Sequence, residues 1–172
     1  MDPASTFSPT RRFRIVMGLF IAGLVLSGVT AFPLLWEARL AADMLGLGDA
    51  TSPAGHKGLA GWILTIRFGL EDAYAAYPWI AYGTDWLAFA HLAIALFFIA
   101  PLIDPPSSRG NLLAGMAACV GVVPLALICG QVRGIPFGWR LIDCSFGVIG
   151  FALLLYCLRL LPRIAEERAQ AG

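Results

Sequence analysis

The side chains best able to do chemistry in this sequence stand where an apolar surrounding would make them expensive. The stretch Gln131–Ser145, QVRGIPFGWRLIDCS, joins two long apolar segments and carries Arg133, Arg140 and Asp143, with Gly134, Pro136 and Gly138 between them. Asp143 lies inside the start of the second apolar run. A charge there calls for a partner. Arg140 and Asp143 are three apart, so a helix puts them on one face. Asp143, Gly147 and Gly150 share a face too, which turns the carboxylate toward a closely packed side and away from lipid. Upstream, Asp85 opens another apolar run, and His91 is the only ionisable residue in its interior. Asp85, His91, Gln131, Arg133, Arg140 and Asp143 are therefore the candidate polar cluster; all but His91 are expected, with Glu37, at one level near the outer membrane surface, and His91 about 9 Å deeper by helix rise.

Several kinds of chemistry fit such a cluster, and the residues leave them open. Arg–Asp pairs near helix ends can fix the register of a bundle without any ligand. The same groups can orient the polar end of a lipid-like or quinone-like molecule whose body stays in apolar surroundings, or can receive a partner protein. An intramembrane His91 with Asp85 or Asp143 can also mark a proton path. Haem is disfavoured: an axial histidine between spans needs support, and the other histidine, His56, sits in a loop rich in Gly and Pro. The sequence shows no Gly-rich phosphate loop, no Ser/His/Asp pattern and no HExxH, so enzymatic activity stays open.

The four cysteines, Cys119, Cys129, Cys144 and Cys157, form no CxxC and no metal-ligand spacing. Cys129 and Cys144 lie at nearly the same depth on either side of the Arg133–Gly138 turn. A bridge between them would suit a membrane thiol/quinone redox enzyme. The plainer reading makes all four small buried apolar groups.

The elements around the cluster follow from composition. The chain has 172 residues, 59% hydrophobic and 13% charged, with net charge +1. Soluble domains carry about 25% charged residues, so this is a membrane composition. The near-zero charge, without blocks of one sign, excludes a nucleic-acid partner. The lipid bilayer is the expected partner. Residues 1–12 read as a disordered N-terminus. Ile15–Trp36 is free of charge and long enough to cross a hydrocarbon core of about 30 Å. A cleaved signal peptide ending near Val29-Thr30-Ala31 is the competing reading, but the apolar run continues beyond it. Pro33 should kink or end that helix.

Residues 37–84 form an external loop with a surface helix over 58–72, in which Leu59, Trp62, Ile63, Ile66 and Leu70 recur at helical spacing and Arg67 stands four before Glu71. Tyr74, Tyr77, Trp79, Tyr82 and Trp86 then read as an interfacial aromatic belt. Further spans are expected over 85–103, 112–130 and 139–158. Ala114, Gly115, Ala118, Cys119 and Gly121 would let helices approach closely, and 163–172 would be a charged cytoplasmic tail. The expected fold class is all-α: a polytopic four-transmembrane-helix bundle with an amphipathic interfacial helix in the first external loop.

Threading follows from the basic residues. Arg11, Arg12, Arg14, Arg109, Arg159, Arg163 and Arg168 fall in short segments on one side; Arg39, Lys57, Arg67, Arg133 and Arg140 fall on the other. Both termini are then cytoplasmic in a bacterial inner membrane. The helix count, with Arg14, Gly18 and Gly28 in the first span, is similar to that of the DoxX-type small membrane proteins. The likeness is one of architecture; it implies a four-helix membrane fold and assigns no site residue.

Overall fold

The computed structural model describes residues 8–171, and among them every regular element is helical. The elements are α1 (Pro9–Ala31), α2 (Leu34–Met44), α3 (Gly58–Ala76), α4 (Trp79–Phe97), α5 (Ile99–Ile103), a 3-10 turn (Pro105–Ser108), α6 (Arg109–Val132) and α7 (Phe137–Ala171). Four segments are long and apolar enough to cross a membrane: Pro9–Ala31, Trp79–Ile103, Pro105–Val132 and Phe137–Gln170. By these four helices the chain is an integral membrane protein. α3 is not among them; it carries Arg67, Glu71 and Asp72.

Prolines account for where the helix boundaries depart from the expected spans. Residues 1–7 lie outside the described residues, but Pro9–Arg12, expected to be disordered, open α1. The first span ends at Ala31 rather than Trp36. Pro33 has no N–H to continue the ladder and disfavours helical backbone at Phe32, so α2 restarts at Leu34, with Glu37 N–H bonded to the Pro33 carbonyl at 2.9 Å. α4 begins at Trp79, not Asp85. Pro78 precedes its first turn, where a missing N–H costs nothing. α6 passes through Pro124 and α7 through Pro162, so the expected polar tail is helix up to Ala171.

The residues fall into two compact units, Met1–Gly23 with Ala95–Gly172, and Leu24–Ile94. In the first, α6 and α7 pack along each other. Glycines make the approach close: a Cβ on Gly147 would lie 2.5 Å from the Cys119 carbonyl oxygen, and one on Gly150 would lie 2.9 Å from Cys119 Sγ. Gly115 likewise faces Phe98 and Leu154, whereas Gly121 has nothing within 4 Å. The core of this unit is Phe13, Met17, Leu112, Leu154, Cys157 and Ile164, all fully buried, with Pro101 and Pro105.

Polar contacts close over that core. Thr10 Oγ1 donates to Glu167 Oε2 at 2.8 Å, Arg14 Nη2 to the Ile103 carbonyl at 3.3 Å, and Arg168 pairs with Asp104 at 3.1 Å. The Ser107 hydroxyl, and with it the Arg168 guanidinium, holds the Asp104 carboxyl below its ordinary range against the pull of desolvation.

In the second unit α2 packs on α3, with Ala38, Ala42, Ile63 and Leu64 buried. Glu71 accepts from Arg39 Nε at 2.8 Å and from Arg67 Nε at 3.4 Å. Arg67 Nη1 also donates to the Gly48 carbonyl at 2.9 Å and so ties the α2–α3 loop down. Gly46, at φ +69°, lets Leu47 N–H reach back to the Ala42 carbonyl at 2.9 Å and close α2. Gly28 of α1 meets α4: a Cβ there would lie 2.9 Å from the Ala88 carbonyl oxygen.

Candidate functional site

The α6–α7 turn is built by its glycine and proline. Gly134 has φ +71°, its N–H bonds the Gln131 carbonyl at 3.2 Å, and Ile135 N–H bonds the Gly130 carbonyl at 2.9 Å. This left-handed cap satisfies the last carbonyls of α6 and reverses the chain. Pro136 then starts α7 by accepting from Trp139 and Arg140 N–H at 3.0 and 3.1 Å.

The turn divides the polar cluster by role. Arg140 lies back over α6. Its Nη1 donates to the Leu127 carbonyl at 3.3 Å, its guanidinium carbon stands 5.3 Å from the centre of the Phe137 ring, and its stem covers Gly130. Its Nε is buried without a hydrogen bond among the described residues. Arg140 therefore acts as a staple between two helices. Arg133 and Asp143 instead line one open groove of about 320 Å³ with Val122, Leu125, Ala126 and Cys129. The expected Arg–Asp pair does not form: among the described residues Asp143 has no ion pair with Arg133, Arg140 or any other cation. The reason is a competing set of contacts: the Arg140 guanidinium is held by the Leu127 carbonyl and the Phe137 ring, while Asp143, almost one turn further on, lines the groove with Val122 and Ala126. Gln131 is exposed on the last turn of α6.

Asp85 and His91 belong to the other unit. Asp85 lines a second groove, of about 340 Å³, with Phe32, Tyr82, Trp86 and Phe89. His91 satisfies itself locally: its Nδ1 donates to the Leu87 carbonyl at 2.9 Å, one turn back on its own helix. No group of three or more His, Cys, Asp or Glu side chains able to hold a metal occurs among the described residues.

All four cysteines are free thiols. Cys129 is exposed along the Arg133–Asp143 groove, whereas Cys144 is buried with its Sγ 4.0 Å from the Val123 carbonyl oxygen. Cys157 is buried, its Sγ 3.9 Å from the Phe13 carbonyl oxygen.

Two features escaped the sequence reading. Arg39 and Glu71 pair across helices, and only the nearer Arg67–Glu71 spacing announces such a pair. The aromatic stripe around Asp85 was legible as Tyr82, Asp85, Trp86 and Phe89 at helical spacing, but it was read as a belt and not as a groove.

Compared with known proteins, the chain matches no family model, no curated protein and no solved structure.

Proposed function

We propose that this membrane protein holds a lipid-like or quinone-like molecule in the groove between α6 and α7, with Arg133 and Asp143 orienting its polar end. The observation that carries the reading is that a guanidinium and a carboxylate share one otherwise apolar groove and are not paired with each other. Val122, Leu125 and Ala126 offer an apolar wall to a hydrocarbon body. Arg133 presents a planar fork of donors suited to a phosphate or a quinone carbonyl, and Asp143 can accept from a hydroxyl.

The same proposal takes the four apolar helices as a bundle in a bacterial inner membrane, with α3 lying at the interface. Arg11, Arg12, Arg14, Arg109, Arg159 and Arg163 favour cytoplasmic termini, and three crossings from the N-terminus then carry the α6–α7 turn to the outer side.

The test is chemical analysis of what co-purifies with the full chain. Asp143→Asn and Arg133→Gln should each lower the extractable amphiphile about tenfold, as expected for loss of a charged hydrogen bond. An unchanged content in both variants, with thermal unfolding intact, would defeat the reading.

A second reading, an accessory subunit whose cluster is internal glue, is favoured by Arg140 alone, through its bond to Leu127 and its cover over Gly130. A chain whose stability depends on Arg140 but which retains no amphiphile would support that reading over the first.

A further inference from the structure

We infer that the groove around Asp85 receives the ammonium end of a phospholipid headgroup. Tyr82, Asp85, Trp86 and Phe89 stand at positions i, i+3, i+4 and i+7 of α4 and so line one stripe. Phe32 joins them from the turn after α1. It is carried there because Gly28, one helical turn earlier, packs on the Ala88 backbone and the Leu92 side chain. The rings are set on edge: Tyr82 and Trp86 have centroids 6.0 Å apart at 83°, and Trp86 and Phe89 have centroids 6.1 Å apart at 90°. A ring face is the negative part of its quadrupole, and perpendicular rings offer faces as well as edges to a shared groove.

Charge identifies the occupant. The Asp85 carboxylate has no hydrogen bond and no ion pair among the described residues, and no cationic side chain lines the groove. A carboxylate among aromatic rings, in a wall that is otherwise apolar, complements an organic cation. An ammonium or trimethylammonium group is the usual guest of such a site. A purely anionic headgroup would meet Asp85 with like charge. The groove flanks the start of the membrane-capable segment Trp79–Ile103, and Tyr and Trp favour headgroup depth. The bilayer itself is therefore the source, through its zwitterionic lipids. The groove is about 340 Å³ and open, so it takes the headgroup and leaves the acyl chains in the bilayer. The inference is independent of the α6–α7 groove, whose residues lie in the other unit.

The experiment is native mass spectrometry of the full-length protein released from bilayers holding equal amounts of phosphatidylethanolamine and phosphatidylglycerol with identical acyl chains. The wild-type chain should retain the ethanolamine lipid about fivefold over the glycerol lipid, as a partly desolvated cation–π and carboxylate contact implies. Asp85→Asn, which keeps the side-chain shape, should abolish the preference, as should Trp86→Leu. Asp72→Asn, which removes an exposed carboxylate of α3 that lines neither groove, should leave it unchanged. Should Asp85→Asn fail to fold, Trp86→Leu and Phe89→Leu carry the test. Equal retention by the wild type, or a preference that survives these substitutions in folded protein, would overturn the inference. Occupancy by free choline without any lipid preference would assign the groove to a soluble amine and overturn it equally.

Discussion

Arg140 lies across Gly130 so closely that a methyl group on that glycine would sit 2.5 Å from Cδ and 2.7 Å from Cγ of the arginine. These are mid-chain atoms, so Arg140 can make room only by giving up its bond to Leu127 and its place over Phe137. Gly130→Ala should therefore destabilise the protein by about 1–2 kcal/mol, in the range of an overpacked contact. Gly121→Ala, with nothing within 4 Å, is the matched control and should stay within about 0.5 kcal/mol. Thermal unfolding in detergent decides; equal effects at the two glycines would refute the staple.

A double-mutant cycle tests the division of the cluster. Arg140→Ala removes a hydrogen bond and a packed stem and should cost about 1–2 kcal/mol. Asp143→Asn removes no ion pair and should cost much less. The coupling between the two should fall below about 0.5 kcal/mol, as for residues without a shared contact. A coupling above 1 kcal/mol, on the order of a real neighbour interaction, would restore the pair that the spacing suggested.

That pair shows how far the sequence could be read. Long charge-free runs announce the apolar helices directly, because hydrocarbon admits little else. The i, i+3 spacing correctly placed Arg140 and Asp143 on one face, and Gly147 and Gly150 correctly marked the side turned to α6. Sharing a face does not bring two heads together, however. Where a long arginine goes depends on which carbonyls lie free within its reach, and that is decided by the Gly134 cap, which folds Leu127 and Gly130 back under α7. Helix ends were misjudged at Pro78 and Pro162 for a related reason. Proline stops a helix only where the N–H it lacks is needed and nothing compensates. At Pro78 the bond is not needed, and beyond Pro162 the burial of Ile164 holds the last turns in place.

The α2–α3 link should respond to acid. The Arg39 guanidinium, with Arg67 beside it, holds the Glu71 carboxyl below its ordinary value of 4.5, against the raising effect of partial burial. A carboxyl depressed in the folded state contributes stability that is present above the unfolded value and is lost as pH falls through the folded one. Arg39 is half exposed, so the contribution is only about 0.5 kcal/mol. Wild type should exceed Glu71→Gln in thermal stability by this amount at neutral pH, and the gap should close below pH 4.5. A gap that stays constant from neutral pH through the acid range would contradict the assignment.

The end of α7 offers the largest effect. Ile164 is fully buried, Glu167 accepts from Thr10 of α1, and Arg168 reaches Asp104. A solvated tail would tolerate truncation, whereas a helix that completes a core would not. Ile164→Ala should cost about 2–4 kcal/mol, the usual range for emptying a buried aliphatic site. Ending the chain after Pro162 should cost at least as much, because it removes the isoleucine and both polar closures. Arg168→Ala alone, half exposed in its pair, should have the smallest effect of the three. The ranking is read from unfolding midpoints of the purified variants in one detergent. Equal stability of the truncated and full chains would mean that the last turns contribute nothing to the core they cover.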